Sequence, residues 1–190
     1  MNKNIILCGV GGQGTVLASK LLAAAAMKKD IPVKTAETIG MAQRGGSVTS
    51  HIRLGADTYS PLVPMGKADL IVAFEPAEAV RMLPYLKKGG AVIVSSRAVM
   101  PVTAALAGSN YQGGEMIDYL RSKVDNLTVV DTDAACAELA SSKIVNVLLL
   151  GAAVNSGETG LTKDDIRTAI KEKVNPKFHE LNFKALDYLK

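Results

Sequence analysis

The fold of this chain is decided by the stretch Asn4-Ile5-Ile6-Leu7-Cys8-Gly9-Val10-Gly11-Gly12-Gln13-Gly14-Thr15. Its apolar first half predicts a short strand that is buried on both faces, as in a parallel sheet. The glycines then follow the spacing Gly9-x-Gly11-x-x-Gly14, and helical spacing begins at Thr15. Glycines at these positions permit a tight turn and let backbone N–H groups approach a phosphate at the start of the helix. The stretch therefore predicts a strand–loop–helix unit that can bind an anion.

The rest of the chain alternates apolar runs typical of strands with segments of helical spacing. We predict strands over residues 4–10, 32–37, 47–54, 69–74, 91–95 and 127–131, and helices over 15–29, 76–86, 115–124, 134–140, 143–155, 163–173 and after 176. This alternation predicts an α/β fold, a Rossmann-like three-layer sandwich with a mostly parallel sheet. Because no repeat or linker divides the 190 residues, we expect residues 1–190 to form a single domain.

One connection departs from the simplest parallel arrangement. Only nine residues separate Glu37 from Ser47, which is too short for a right-handed crossover helix. We therefore expect the strand over 47–54 to run antiparallel to its predecessor. Its polar and apolar residues alternate, which predicts a half-exposed strand with His51 and Arg53 on the outer side. On this basis we interpret His51 as a surface or interface histidine.

The short connection is itself a candidate binding loop. Arg44 offers a planar fork for a carboxylate or phosphate, and Gly45 and Gly46 let backbone amides approach beside it. Together the two loops supply our candidate binding residues, which are Gly9, Gly11, Gly12, Gln13, Gly14, Gln43, Arg44, Gly45, Gly46 and Ser47. No arrangement of nucleophile and base or of paired carboxylates stands out, so we predict no catalytic residue. Residues 60–64 form an exposed apolar segment that is either a docking strap or merely a loop.

Composition excludes several classes of protein. The net charge is +4. The whole excess of positive charge lies in the first 60 residues, which contain seven basic and three acidic side chains. That distribution is too sparse for a nucleic-acid surface but suits a small anion or an acidic partner near the two loops. Cys8 and Cys136 are far apart in sequence, so we expect reduced thiols and neither a metal site nor an iron–sulfur cluster. With no membrane-length apolar run and no signal-peptide pattern, we expect a cytoplasmic protein.

The two loops belong to a longer series of recognisable motifs. Residues 9–14, 37–47, 59–64, 74–76, 146–151 and 178–182 together resemble the gamma-type subunit of 2-oxoacid:ferredoxin oxidoreductases. Within that family the chain is most similar to the small beta subunit of indolepyruvate:ferredoxin oxidoreductase. The resemblance spans nearly the whole chain and is far more specific than the glycine spacing alone.

This resemblance implies a division of labour between subunits. In such enzymes thiamine diphosphate attacks the 2-oxoacid, carbon dioxide leaves, electrons pass through iron–sulfur clusters to ferredoxin, and coenzyme A accepts the acyl group. Thiamine diphosphate and the clusters are then expected in a large partner subunit, and we predict no cofactor bound by this chain alone. The glycine loops and Arg44 would face that partner near the phosphates of coenzyme A or thiamine.

From the residues alone, two other functions remain possible for this chain. One is a stand-alone NAD(P)- or nucleotide-binding protein, and the other is a non-catalytic assembly module whose glycine loops make only protein contacts. Neither nucleic acid nor a membrane is expected as a partner, and a homodimer is considered for the isolated chain.

Overall fold

A computed structural model describes residues 2–38, 45–100, 108 and 110–189. Its centre is a six-stranded sheet made of β1 Lys3–Val10, β2 Val33–Thr38, β3 Ser47–Leu54, β4 Ala68–Ala73, β5 Leu86–Ser95 and β6 Asn126–Val130. The strands lie in the order β2-β3-β1-β4-β5-β6. The β1–β4, β4–β5 and β5–β6 pairs are parallel, whereas β3 runs antiparallel to both β1 and β2. The antiparallel strand expected after the short connection is therefore confirmed.

Helices cover both faces of this sheet. They are α1 Thr15–Met27, α2 Pro76–Met82, α3 Gly113–Lys123, α4 Thr132–Glu138, α5 Val145–Asn155, α6 Lys163–Lys173 and α7 His179–Asp187. One apolar core joins α1, α4, α5, α6 and α7 to the sheet, and a second joins α2 and α3 to the opposite face. The three-layer sandwich is thus confirmed. No helix within the described ranges is long and apolar enough to cross a membrane.

The central position of β1 explains its continuous apolar sequence. Ile5 and Leu7 belong to the first core, while Ile6 and Cys8 belong to the second. Alternate side chains of one strand therefore fill both layers.

Helix α5 is apolar all round because it is enclosed on all sides. It packs against β4 and β5 and also against α1 and α7. At Gly151 an added Cβ would lie 2.5 Å from the carbonyl oxygen of Leu186 in α7. The close approach of these two helices requires glycine at this position.

Two sequence expectations about strands are wrong. Strand β3 is not half exposed, because Thr49 and His51 are buried as well as Ile52. The residues that follow β3 cross over this side of the strand and cover it. Strand β5 begins at Leu86, five residues before the predicted start at residue 91, so Gly89, which was expected to precede the strand, lies within it.

Candidate functional site

The loop between β1 and α1 is held in shape by Gln13. The Val10 N–H donates to Gln13 Oε1 at 2.8 Å, and Gln13 Nε2 donates to the Phe74 carbonyl oxygen at 2.9 Å. An added Cβ on Gly9 would lie 2.6 Å from Gln13 Oε1 and 2.9 Å from Phe74 Cβ. Gly9 thus makes room for the Gln13 side chain, which ties the loop to the end of β4.

Gly14 brings the start of α1 against the start of α5. It caps α1 in a left-handed conformation, with φ of 83°. An added Cβ there would lie 2.9 Å from the Asn146 Nδ2 atom. The left-handed backbone and the close neighbour both favour glycine at this position.

A cleft of about 380 Å³ opens beside this contact. It lies where the parallel strands β1, β4 and β5 end, which is the edge where open α/β sheets bind ligands. Residues that line it include Gly12, Gln13, Gly14, Arg97, Lys143 and Asn146. The structure therefore places three of the predicted binding residues at a concave surface.

Arg97 and Lys143 were not foreseen from the sequence. Arg97 follows the end of β5 by two residues, and Lys143 lies in a 3₁₀ turn just before α5. Position after the end of a parallel strand was the one signal that could have found Arg97. Lys143 reaches the cleft only because α5 begins beside the glycine loop.

The cleft is suited to an anion. The starts of α1 and α5 carry partial positive charge. The Lys143 side chain adds a full charge, as does Arg97, whose guanidinium group also lies 3.6 Å from the Asp133 carboxylate. Asn146 is buried, with 6% of its surface exposed, and its Oδ1 accepts a hydrogen bond from the Val147 N–H at 2.9 Å. Its Nδ2 meets no acceptor within the part of the chain that the structure describes. Because this nitrogen is not among the fully buried unpaired atoms of the described residues, it is accessible at the cleft and can donate to a ligand that supplies oxygen atoms.

The second loop reaches the first through its described end. The Gly11 N–H donates to the Gly46 carbonyl oxygen at 2.8 Å, and the Gly45 N–H donates to the Gly11 carbonyl oxygen at 3.4 Å. The Ser47 hydroxyl donates to Glu78 Oε2 at 2.6 Å. The two glycine segments are therefore brought together, but Gly45, Gly46 and Ser47 support the loop from beside the cleft.

Two of the predicted residues, Gln43 and Arg44, lie outside the described residues. The same is true of residues 39–42.

A buried polar cluster lies behind the loop. Glu75 caps α2 by accepting the Glu78 N–H at 3.1 Å, and it also accepts a hydrogen bond from the Tyr111 hydroxyl. Burial, the Glu75 hydrogen bond and nearby carboxylates raise the pKa of Tyr111. Burial chiefly, and then Glu78 and Glu75, raise the pKa of the Cys8 thiol. Cys8 therefore stays protonated, so it suits neither a nucleophile nor a metal ligand.

The residues of this chain do not fit an iron–sulfur cluster. Such clusters take four ligands, mostly cysteine thiolates, and the sequence has two cysteines in all. In the described ranges, moreover, no three side chains of His, Cys, Asp or Glu come together as metal ligands.

The structure is a three-layer sandwich with an antiparallel third strand and a glycine loop beside a cleft at the ends of the parallel strands. The chain belongs to the pyruvate ferredoxin/flavodoxin oxidoreductase family, whose profile matches residues 4–188. The resemblance drawn from the sequence motifs is therefore confirmed.

Individual relatives agree with this assignment. The chain is 38% identical to indolepyruvate oxidoreductase subunit IorB of Pyrococcus horikoshii, covering 97% of this chain and 92% of that one. It is 30% identical to the common gamma subunit of the pyruvate/ketoisovalerate oxidoreductases of Thermococcus kodakarensis, covering 94% and 90%. Its fold matches 2-oxoglutarate:ferredoxin oxidoreductase from Magnetococcus marinus, solved with 2-oxoglutarate, coenzyme A and succinyl-CoA bound. That match has a TM-score of 0.71 at 18% identity, and it covers 98% of this chain and 30% of that one.

Proposed function

We propose that this chain is the small subunit of a 2-oxoacid:ferredoxin oxidoreductase that acts on indolepyruvate. The observation that carries the proposal is the similarity to IorB along nearly the full length of both chains, which exceeds the similarity to the pyruvate/ketoisovalerate gamma subunit. The stand-alone nucleotide-binding alternative is not favoured. Thiamine diphosphate, the iron–sulfur clusters and the contact with ferredoxin then belong to a larger partner subunit in the cytoplasm.

The cleft beside the glycine loop gives this subunit a chemical role of its own. We assign it to a phosphate group, of coenzyme A in the first place or of thiamine diphosphate. Arg97 and Lys143 neutralise the charge, and the N–H groups at the starts of α1 and α5 donate to phosphate oxygens. The Asn146 amide supplies a further donor from within the protein. When bound, coenzyme A supplies the thiol that accepts the acyl group.

The other candidate residues have supporting roles in this proposal. Gly9 and Gln13 fix the shape of the first loop, and Gly11 joins it to the second loop at Gly46. Gln43 and Arg44 are assigned to the side that faces the partner subunit. The alternative of a pure assembly module makes the same loops contact protein only.

The substrate assignment is tested on the complete enzyme. The chain is co-expressed with the large subunit of the same organism, and ferredoxin reduction is followed with indolepyruvate, pyruvate, 2-ketoisovalerate and 2-oxoglutarate. We expect kcat/KM for indolepyruvate to exceed the other values by about tenfold or more, because a pocket separates side chains of such different size by at least that factor. Failure of the two chains to form a complex, or a preference for pyruvate, contradicts the proposal.

The phosphate assignment predicts a selective defect in coenzyme A binding. Arg97→Ala and Lys143→Ala should each raise the KM for coenzyme A about tenfold, because each removes a charged hydrogen-bond donor, while the KM for the 2-oxoacid stays unchanged.

Lys88→Ala is the matched control for these variants, since Lys88 is exposed on β5 near its opposite end. An unchanged KM for coenzyme A together with weaker assembly of the complex would support the assembly module instead. If both the kinetics and the assembly of the complex are unchanged in these variants, the cleft has neither a phosphate-binding nor an assembly role.

A further inference from the structure

The connection between β3 and β4 replaces a helix on one face of the sheet. We call residues 55–67 the strap. On the face that α2 and α3 share, Val63 of the strap is 2% exposed and belongs to the same core as Ile6 and Leu120. The strap also covers His51 on β3. A single irregular segment is therefore the outer layer over this part of the sheet, where a doubly wound fold ordinarily has a helix.

Side chains of β2 and β3 hold the backbone of the strap in place by hydrogen bonds. The Val63 N–H donates to His51 Nδ1 at 3.2 Å, and an Arg53 guanidinium nitrogen donates to the Ser60 carbonyl oxygen at 3.0 Å. The Lys34 ammonium group donates to the Tyr59 carbonyl oxygen at 3.4 Å. The conformational entropy of this segment is thus already lost when the chain folds, so a partner that binds it does not incur that cost again.

The same segment presents large apolar side chains to solvent. Tyr59 is 90% exposed, Met65 69% and Leu62 55%. Three such side chains within seven residues, on a fixed backbone, form the kind of surface that anchors a protein interface.

The charges around the strap indicate whether it binds a second copy of this chain or a different protein. Lys34 on β2 and Lys67 at the end of the strap are exposed. Together with Arg53 on β3 they outnumber Asp57, the one carboxylate within residues 55–67, whose Oδ2 accepts a hydrogen bond from the Asn2 amide at 2.8 Å. A two-fold dimer through this surface would bring the same lysines close to one another. A partner that carries carboxylates around an apolar pocket is complementary instead.

We infer that the strap is a docking surface of this chain for the larger subunit of the enzyme, whose matching surface is an apolar pocket with an acidic rim. The inference rests on the function proposed above. It assigns Tyr59, Leu62 and Met65 to the pocket and Lys34 and Lys67 to the rim.

The test compares two exposed tyrosines in binding to the purified large subunit. Tyr59→Asp should raise the Kd about thirtyfold, the effect of losing a central interface anchor. Tyr119→Asp is the control, because Tyr119 is exposed on α3 rather than on the strap, and the Kd of this variant should equal that of the unmodified chain. Lys67→Glu should weaken binding and flatten its dependence on salt concentration. Circular dichroism and thermal unfolding establish that each variant is folded.

Other results would contradict the inference, and they show whether the proposed function fails with it. A Tyr59→Asp chain that binds as tightly as the unmodified chain overturns the strap and leaves the proposed function intact, as does equal weakening by Tyr119→Asp. An unmodified chain that does not bind the large subunit overturns the proposed function as well. If sedimentation then shows a homodimer that Tyr59→Asp dissociates, the occupant of the strap is a second copy.

Discussion

At Gly14 a single hydrogen atom occupies the place where any other residue would begin its side chain. The neighbouring Gly12 also has a positive φ, of 101°, but an added Cβ there meets no atom within 4 Å, whereas at Gly14 it meets Asn146. The two glycines therefore separate the cost of an unfavourable backbone conformation from the cost of a steric clash.

This difference predicts unequal effects of alanine. Gly12→Ala should lower the free energy of unfolding by about 1–2 kcal/mol, the cost of a left-handed backbone for a residue with Cβ. Gly14→Ala should lower it by about 1–3 kcal/mol more, because Asn146 must also move. Urea denaturation of both variants measures the two values. Equal losses would mean that the contact between the α1 and α5 starts is loose.

At the scale of elements, β3 is a polar strand in an interior position. It is hydrogen-bonded to β1 on one side and to β2 on the other, and Ser50 and His51 on it are buried. His51 accepts the strap's Val63 N–H, which requires a neutral imidazole at Nδ1. Burial lowers the pKa of His51 from its ordinary value of 6.5.

The lowered pKa makes stability depend on pH. Below about pH 6.5 the unfolded chain takes up a proton at His51 more readily than the folded chain, so stability falls as the pH falls through this range. Above it, the contribution of neutral His51 is fully present. Urea unfolding at about pH 7.5 and about pH 5.5 should show a smaller difference for His51→Gln, which does not titrate, than for the unmodified chain. The same difference in both proteins would contradict this account.

At the scale of the whole molecule, two cysteines lie at different depths. Cys8 is fully buried in the central strand, and Cys136 on α4 is half-buried. Burial raises the pKa of Cys136, with Asp133 adding to the effect and Arg97 opposing it.

Alkylation should therefore distinguish local opening from global unfolding. Under native conditions Cys136 should be labelled directly, and Cys8 at least about a thousandfold more slowly, because β1 is exposed only when the sheet unfolds. Mass spectrometry of the labelled peptides measures both rates, and concentrated urea should make them equal. Labelling of Cys8 at the rate of Cys136 would show that β1 opens locally.

Local sequence patterns were sufficient to locate most of the strands and helices, but not the start of β5 and not the site. The glycine spacing located the β1–α1 loop, and the nine residues before Ser47 were enough to predict an antiparallel strand. Arg97 could have been found only from its position just after the end of a strand, and Lys143 could not be found at all, because it reaches the cleft only once the sheet order and the start of α5 are known. The alternation in β3 showed that its two sides differ in polarity, but it carried no information on the strap that buries His51.

The place of β3 in the sheet has a consequence for the order of folding. β3 follows β1 and β2 along the chain but lies between them, and β2 is hydrogen-bonded only to β3 among the described strands. A growing chain that paired β2 directly with β1 would fill the position that β3 needs and would have to separate again. The productive route forms the β2–β3 pair first, across a short connection, and then adds it to β1 as a unit. That later step brings together strands far apart in sequence, so we expect it to limit the rate of refolding.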